Sequence, residues 1–332
     1  MSIWMRNFFI ALSKNTYLNK YAQKYGYKLF AEQFVAGLDV DSVIQTVRRL
    51  NKVGISCTVD HLGEFVTDRK VSLEAKENII ILLERIHDEK LDCHVSVKLT
   101  QLGLDIEEGF CLANMQEIVR TAAQYDIFVN IDTEDYAHYD GTMRILNELR
   151  KEFSNIGTVI QAYYFHADDM LDELENNRLR IVKGAYKEGT EIAYQSKAEI
   201  DANFLKLAKR RLQGNAFTSI ATHDHQIINE LKAFVQLHAI DKSTFEFQML
   251  YGFRENLQLE LVDEGYLFCT YLPFGHEWYG YFMRRLAERP RNMQLIIKDK
   301  LYTNDNKIKK QPLLVGAGII SGLLLLWRRW RK

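Results

Sequence analysis

Two adjacent arginines, Arg284 and Arg285, lie in the segment YLPFGHEWYGYFMRRLAE (271–288), whose pattern predicts a turn followed by a helix from about Trp278. Neighbouring guanidinium groups repel each other, so an acid or a bound anion must offset them. Glu288 follows Arg284 at the i+4 spacing that lets opposite charges meet on a helix. Because a guanidinium group grips a carboxylate through two parallel hydrogen bonds, the pair predicts a site for a small carboxylate. A solvated charged helix face is the alternative.

Polar side chains also interrupt or follow eight short apolar runs of the chain. Lys98 lies inside such a run, where a lysine rarely faces solvent, so it should point into a site or pair with an acid. Gln161 is an amide in an apolar run and needs a hydrogen bond from the fold or from a ligand. Arg180 and Lys183 lie on opposite faces of one run and suggest an anion or an electron-rich ring. The full set is Asp60, Glu64, Lys98, Asp132, Thr133, Glu134, Gln161, Arg180, Lys183, Thr222, His223, Asp224, His225, Gln248 and Tyr271.

Two histidines in the segment ATHDH (221–225) leave three interpretations open. His223 and His225 could bind one metal ion, as in a metal-dependent hydrolase. They could instead hydrogen-bond an organic cofactor, or be structural. His61 is the remaining histidine near a run's end, since His94 begins its run. No serine or cysteine stands beside a histidine as in a catalytic triad. The lack of a nucleophile favours cofactor chemistry, in which the protein orients the reactants.

The apolar runs predict the fold that would position these residues. They are near-continuously apolar and β-branched, as strands buried on both faces are, and they span 55–60, 94–99, 128–132, 158–163, 179–184, 218–222, 245–250 and 266–272. Helical periodicity lies between them, at 72–90, 114–125, 142–153, 198–212 and 226–239. Eight strands alternating with helices predict a (β/α)₈ barrel, whose site is built at the carboxyl-terminal strand ends. A doubly wound sheet is the alternative, but the chain has no GxGxxG or GxxxxGKS loop.

The composition fits one large buried core. Of 332 residues, 47% are hydrophobic, and 3 prolines argue against a Pro-rich linker. Cys57, Cys93, Cys111 and Cys269 form no CxxC motif and are expected to be reduced thiols of a cytosolic protein. The net charge of −1 divides into seven positive charges within residues 307–332 and −8 elsewhere. An acidic body argues against nucleic acid as the main partner.

The two ends of the chain carry separate signals. The segment LLVGAGIISGLLLLW (313–327) has no charge and is flanked by basic residues. As a helix it would be about 22 Å long, shorter than the ~30 Å hydrocarbon core of a bilayer. Tryptophans and basic residues beside it suit lipid headgroups, so residues 311–332 are predicted to anchor the chain by a short span or a shallow insertion. A core helix or an oligomer contact is the alternative. The first residues, MSIWMRNFFIALSKN, favour an amphipathic helix over a signal peptide.

Seven segments of the chain resemble, in order, the signature segments of proline dehydrogenase. They are TVDHLGE (58–64), VSVKLTQLG (95–103), NIDTE (130–134), VIQAY (159–163), RIVKGAY (180–186), ATH (221–223) and YLPFG with YFMRRLAE (271–288). The resemblance covers residues from about 30 to 300 and is strongest to the monofunctional bacterial enzymes. It implies a distorted (β/α)₈ barrel with non-covalent FAD, which oxidises L-proline to Δ1-pyrroline-5-carboxylate by hydride transfer to flavin N5. It also implies electron transfer to a membrane quinone, at the cytoplasmic side of the cell membrane.

The resemblance also assigns roles to the residues that match its motifs. Lys98, Arg284 and Arg285 would grip the proline carboxylate. Tyr271 would pack on the proline ring, oriented by Asp132, and Glu64 would pair with Arg284 as a gate. Arg180 would lie beside flavin N5, Gln161 would contact the flavin ring, and the rest of the flavin would be held by Lys183, Gly184, Ala185, Thr222 and His223, with Thr133 and Gln248 nearby.

Two positions depart from the family pattern. Lys187 stands where the family commonly has tryptophan, which bears on flavin packing, and Asp224 stands where asparagine is frequent, which bears on the adenine side. The resulting domain prediction is a barrel domain with N-terminal helices over residues 1–306 and a membrane-anchor tail over 307–332. Three functions remain: a flavin enzyme that oxidises proline without a metal, a metal-dependent barrel hydrolase using His223 and His225, and a membrane-tethered protein that binds a small carboxylate.

Overall fold

Eight parallel strands form a closed barrel in which each strand pairs with its neighbours in chain order and the last pairs with the first. The computed structural model describes residues 32–288, and side chains up to Met283. The strands are β1 (Ser56–His61), β2 (Cys93–Lys98), β3 (Val129–Asp132), β4 (Ile156–Gln161), β5 (Leu179–Val182), β6 (Thr218–Ala221), β7 (Phe245–Leu250) and β8 (Leu267–Phe274). The predicted (β/α)₈ barrel is confirmed, and the doubly wound sheet is wrong.

Helices follow the strands as the periodicity predicts. Within the described part of the chain they are α1 (Val40–Asn51), α2 (Arg69–Asp88), α3 (Glu108–Gln124), α4 (Tyr139–Leu149), α5 (Ala167–Glu173), α6 (Lys197–Leu212), α7 (His225–Leu237), α8 (Glu255–Asp263) and α9 (Trp278–Glu288). Side-chain caps set several of their starts: Asp68 accepts from the Lys70 N–H at 2.8 Å and Ser196 from the Glu199 N–H at 3.2 Å. The caps satisfy backbone donors that the first helical turn leaves unpaired.

The strands are buried because helices cover the outside and side chains fill the inside. Every residue of β2, β3 and β4 is buried, which explains their near-continuous apolar sequences. Each predicted strand boundary lies within two residues of the observed one. In β4 the shift matters, because the strand ends at Gln161 and places that amide at its carboxyl-terminal end.

All four cysteines are free thiols buried in the barrel. Cys57, Cys93 and Cys269 lie on β1, β2 and β8, and Cys111 lies on α3. Burial raises the pKa of each thiol above its ordinary value, since a thiolate loses its hydration there. The expectation of free thiols without a disulfide framework is confirmed.

Residues 34–275 form one compact unit, and residues 276–288 belong to a different one. The predicted helix start at Trp278 is confirmed as the first residue of α9. The hydrophobic tail, residues 311–332, and the predicted amphipathic N-terminus lie outside the described residues, so the division at residue 306 stays a prediction. Between residues 32 and 288, no helix has the length and apolar character needed to cross a membrane.

Candidate active site

Four buried side chains and a partly buried tyrosine meet inside the barrel and are named here the mouth cluster: Asp60, Lys98, Asp132, Arg180 and Tyr271. Lys98 Nζ donates to Asp60 Oδ2 at 2.7 Å and lies 3.7 Å from Asp132 Oδ2. Arg180 Nη1 donates to Asp132 Oδ1 at 2.6 Å. Two cations thus face two carboxylates, and the pairing offsets the cost of removing four charges from water.

Tyr271 links the two halves of this cluster. Its hydroxyl donates to Asp132 Oδ2 at 2.8 Å and accepts from Lys98 Nζ at 3.2 Å. The Arg180 guanidinium carbon lies 5.2 Å from the centre of the tyrosine ring. Burial and the charges of Asp132 and Asp60 raise the pKa of Tyr271 well above its ordinary value, so the hydroxyl remains a donor. The contact of Tyr271 with Asp132 that the resemblance implies is present.

The lysine and the aspartate of the mouth cluster respond differently to burial. Burial lowers the pKa of Lys98, but the charges of Asp60 and Asp132 outweigh it, so the pKa is raised and the amine stays protonated. Burial raises the pKa of Asp60 more than Lys98 lowers it. Asp60 Oδ1 is buried and has no hydrogen-bond partner within residues 32–288. An oxygen in that state needs a donor, which the protein's described side chains do not supply.

Arg180 is tied to four other strands. Its Nε donates to Gln248 Oε1 at 2.7 Å, and Nη2 donates to Ser96 Oγ at 2.9 Å and to Thr58 Oγ1 at 3.4 Å. With the bond to Asp132, these contacts use four of the five N–H donors of a guanidinium group. No acceptor among the described residues takes the second N–H of Nη1, which leaves it for a ligand. Gln248, expected near the flavin, is therefore fixed through Arg180.

Gln161 and Thr133 lie at the neighbouring strand ends. The Gln161 amide is 3% exposed, and its Nε2 donates to the backbone oxygen of Glu134 at 2.7 Å. Thr133 Oγ1 donates to the backbone oxygen of Val159 at 3.3 Å. The predicted need of Gln161 for a hydrogen bond is thus met by the fold at its nitrogen.

Lys183 lies partly exposed beyond β5, away from the interior face that carries Arg180. Its Nζ donates to Asp201 Oδ1 at 2.5 Å and lies 3.4 Å from Asp224 Oδ2. Asp224 also caps α7 by accepting from the Gln226 N–H at 3.2 Å. Burial raises the pKa of Asp224. Lys197 and Lys183 together lower it by more than burial raises it, so the net shift is downward. A phosphate at Lys183 would therefore compete with two carboxylates.

Gly184 has a φ of 110°, a conformation that side-chain-bearing residues rarely adopt. A Cβ there would lie 2.4 Å from the ring of Tyr163. The predicted close approach at Gly184 is confirmed, and its neighbour is this tyrosine. Ala185 and Lys187 follow on the exposed surface.

The two histidines of the ATHDH segment do not converge on a metal in the described structure. His223 Nε2 accepts from the Leu250 N–H at 3.0 Å, so this nitrogen is already used. Its ring packs edge-on against Phe253. His225 begins α7 and is exposed, while Thr222 is buried and accepts from the Asp224 N–H at 3.2 Å. The arrangement favours hydrogen bonding by His223 over metal binding.

One group among the described residues has the spacing of a metal site, and it lies at the other end of the strands. Ligand atoms of His94, Glu246 and Cys269 lie within 4.8 Å of one another. Glu246 Oε1 already accepts from Ser219 Oγ and Gln248 Nε2, both at 2.6 Å, and lies 3.5 Å from the Arg178 guanidinium. A cation already compensates the carboxylate. We name His94, Arg178, Glu246 and Cys269 the base cluster.

Three predicted substrate-binding residues remain, and the charge of one of them, Glu64, adds to the charges of Asp60 and Asp132 that raise the pKa of Lys98. Glu64 lies half-buried in the loop after β1. Arg284 and Arg285 lie in α9, but their side chains are outside the described residues. The carboxylate grip by both arginines and the pair of Arg284 with Glu64 stay predictions.

Two residues at strand ends gained partners that sequence reasoning did not assign. Asp60 pairs with Lys98, and Glu134 accepts two hydrogen bonds from Thr100. Both acids were visible as polar residues after apolar runs. The available signal was the register of parallel strands, which sets Asp60 opposite Ser96, two residues before Lys98.

Comparison with known proteins connects this geometry to a family. The sequence profile described as proline dehydrogenase matches residues 43–296. Proline dehydrogenase 2 of Bacillus subtilis strain 168 is 44% identical over 295 residues, covering 88% of this chain and 97% of that protein. The proline dehydrogenase of Deinococcus radiodurans is 40% identical over 279 residues, covering 82% and 90%. The crystal structure of proline utilization A from Bdellovibrio bacteriovorus, inactivated by N-propargylglycine, has a similar fold, with a TM-score of 0.76 and 24% identity. The likeness covers 92% of this chain and 38% of that larger one.

Proposed function

The chain belongs to the proline dehydrogenase family, and we propose that it oxidises L-proline to Δ1-pyrroline-5-carboxylate with FAD as the immediate electron acceptor. The observation that carries the proposal is the mouth cluster, which sits on the motifs shared with this family. It combines buried cations, a tyrosine and an acceptor that has no partner between residues 32 and 288. A small zwitterion such as proline has the carboxylate and the ammonium group that these features require.

Substrate binding is proposed to use both charges of proline. Lys98, Arg284 and Arg285 bind the carboxylate, and Glu64 closes over it with Arg284, as the family resemblance implies. Tyr271 packs on the ring, and Asp132 holds the tyrosine hydroxyl at 2.8 Å. Asp60 Oδ1 is a buried acceptor, and the ammonium group of a substrate would supply its missing donor. Because Lys98 keeps its proton, it contributes a fixed positive charge.

The strand ends also suit a flavin. Arg180 keeps one N–H of a buried guanidinium for a ligand, and a fixed cation stabilises negative charge nearby. Gln161 would contact the ring system, Thr133 and Gln248 would lie beside it, and the phosphate side would be held by Lys183, Gly184, Ala185, Thr222 and His223. FAD, when bound, would supply the acceptor for the hydride that leaves the proline ring, and the bound ammonium group would also have to release a proton so that its lone pair can form the C=N bond. Asp224 and Asp201 draw on the charge of Lys183, so the phosphates would rely on backbone N–H groups more than on this lysine.

The protein's contribution to the reaction is orientation. Arg180 and Tyr271 are both fixed by Asp132, so the flavin side and the substrate side share one carboxylate. A support shared by both reactants would hold them at a defined separation. Little reorganisation is then needed before hydride transfer, and this positioning accelerates the reaction.

The absorption spectrum of the purified protein tests the proposal. We expect a flavin spectrum that L-proline bleaches in the absence of oxygen. Cyclopentanecarboxylate, which lacks the amine, is the control and should leave the spectrum unbleached. Bound zinc without flavin would instead favour the hydrolase, and proline binding without bleaching would favour the binding protein.

We further propose that electrons pass to a membrane quinone and that residues 311–332 hold the chain at the cytoplasmic side of the cell membrane. The support is the uncharged segment between basic flanks and the fact that a quinone is dissolved in lipid. Deleting residues 311–332 should move the protein from the membrane fraction to the soluble fraction and preserve proline oxidation with a soluble dye. Loss of dye activity on truncation would make the tail structural.

A further inference from the structure

A buried threonine and a buried glutamate connect the loops that follow β1, β2 and β3 with the last residue of β4. Thr100 lies just after β2 and is 0% exposed, and Glu134 lies just after β3 and is 2% exposed. Glu134 Oε1 accepts from the Thr100 N–H at 3.1 Å, and Oε2 accepts from Thr100 Oγ1 at 2.5 Å. Both carboxylate oxygens are therefore used by a single residue. Charge-assisted bonds of this kind are stronger than neutral ones.

The same threonine holds the loop after β1. Thr100 Oγ1 accepts from the Phe65 N–H at 2.9 Å, and its backbone oxygen accepts from the Val66 N–H at 3.0 Å. These two residues directly follow Glu64, the expected gate over the substrate. Phe65 has a φ of 55°, a left-handed conformation that is costly for a residue with a side chain. Such a conformation persists only where the surroundings hold it.

The glutamate reaches the fourth strand through its backbone. The Glu134 carbonyl oxygen accepts from Gln161 Nε2 at 2.7 Å, and Gln161 is the expected flavin contact at the end of β4. An unbroken path of hydrogen bonds therefore runs from the loop after β1 through Thr100 and Glu134 to Gln161.

We propose that Thr100 and Glu134 are positioning residues that form a buried strut between the substrate gate and the flavin side of the site. Thr100 holds the Glu64 loop in its strained conformation, and Glu134 fixes Thr100 and the Gln161 amide together. The inference rests on the proposed function for what Glu64 and Gln161 do, and on the hydrogen bonds of the structure alone for the strut itself.

Thr100→Val tests the strut because it keeps the shape of the side chain and removes the hydroxyl. The change leaves Glu134 Oε2 and the Phe65 N–H without their partner. We expect the KM for L-proline to rise about tenfold, the cost of one charged hydrogen bond, while kcat changes less than about threefold and bound flavin is unchanged. Thr100→Ser retains the hydroxyl and should stay within about twofold of the wild type.

Thr158→Val is the matched control. Thr158 is also 0% exposed, lies on β4, and donates its hydroxyl to the backbone oxygen of Ile131 at 2.9 Å. It should lower thermal stability as Thr100→Val does but leave KM within about twofold of the wild type. An equal KM in both valine variants, or a Thr100→Ser variant as impaired as Thr100→Val, overturns the proposal.

Amide hydrogen exchange of the peptide over residues 62–68 separates the strut from the proposed reaction. The Phe65 and Val66 amides should be protected in the wild type, and the Phe65 amide should exchange at least tenfold faster in Thr100→Val than in Thr158→Val. This readout needs no turnover, so it stands if the wild type does not oxidise proline. If Thr100→Val does not fold, the wild type alone decides. Strong protection of the Phe65 and Val66 amides would support the strut, and exchange as fast as in an exposed loop would overturn it.

Discussion

The two ends of the barrel both bury charge, but they treat it differently. At the base cluster, Arg178 lies between two aromatic rings, 4.1 Å from Phe128 and 4.4 Å from Phe217, and meets Glu246 at 3.5 Å. Two neighbours of this pair, His94 and Cys269, are uncharged at neutral pH, and a third, Asp92, is a carboxyl group whose pKa is raised by burial and by the charge of Glu246. Burial together with Arg178 lowers the pKa of His94 well below its ordinary value, and burial raises that of Cys269.

At the mouth cluster, four charged groups face one another with a tyrosine between them, and the pairing is incomplete. Asp60 Oδ1 has no donor within the described residues, and Arg180 retains one N–H. The base also leaves one buried donor, Arg178 Nε, without a hydrogen-bond partner among the described residues, but aromatic rings pack against that guanidinium group and stabilise its charge. The mouth keeps hydrogen-bonding capacity at the cost of stability, as binding sites do.

The largest contrast should come from removing the lysine of the mouth. Lys98→Met leaves Asp60 buried without its cation, so we expect a loss of about 3–5 kcal/mol in unfolding free energy and about 1000-fold or more in kcat/KM for proline. Lys151→Met is the control, since Lys151 also meets an acid, Glu148, at 2.6 Å, with both side chains exposed on the surface. It should cost under about 1 kcal/mol. Comparable losses of unfolding free energy in both variants would show that burial does not increase the contribution of the Lys98–Asp60 pair to stability.

The pH dependence of stability should also arise at the mouth. Burial raises the pKa of Glu134 to about 7, so the folded state binds a proton that the unfolded state releases near 4.5. The free energy of unfolding therefore falls as pH rises through this window, by about 2–3 kcal/mol from pH 5 to 8. Denaturant unfolding of the wild type minus that of Glu134→Gln should show this fall. A difference independent of pH, or one that grows with pH, contradicts it.

Cutting the ion pair of the base should affect stability alone. Arg178→Leu removes the ring contacts and one partner of Glu246, which keeps its bonds from Ser219 and Gln248. We expect a loss of about 2 kcal/mol in unfolding free energy, with kcat/KM for proline within about threefold of the wild type. A tenfold loss of kcat/KM would show that the base also shapes the site.

The smallest effect compares the same change at two tyrosines, Tyr271 within β8 and Tyr266 directly before it. Tyr271→Phe removes the hydroxyl that Asp132 and Lys98 share, so the KM for proline should rise about fivefold to tenfold, with a cost of about 1 kcal/mol in stability. Tyr266→Phe, directly before β8, should leave KM unchanged. Steady-state kinetics with a soluble dye measure both. If the two variants raise the KM equally, the special role of the Tyr271 hydroxyl in proline binding is wrong.

Sequence reasoning reached the barrel because strand burial and helical period are local properties. It also found Lys98, Asp132 and Arg180, since charges inside apolar runs are conspicuous. It could not find the four partners of Arg180, because they come from four other strands brought together only when the barrel closes. It assigned Lys183 to a phosphate without seeing Asp201 and Asp224, which α6 and the start of α7 bring to the same amine.

The four buried thiols have a consequence for how the protein can be handled. Thiols that stay protonated and inaccessible react slowly with maleimides and with peroxide. A cysteine introduced on the surface, for example at Leu237, which is 79% exposed on α7, would react first. Fluorophores or spin labels can therefore be attached at a chosen position without removing any native cysteine. Because the native thiols are buried, distances can be measured between labels on the surface of the intact protein.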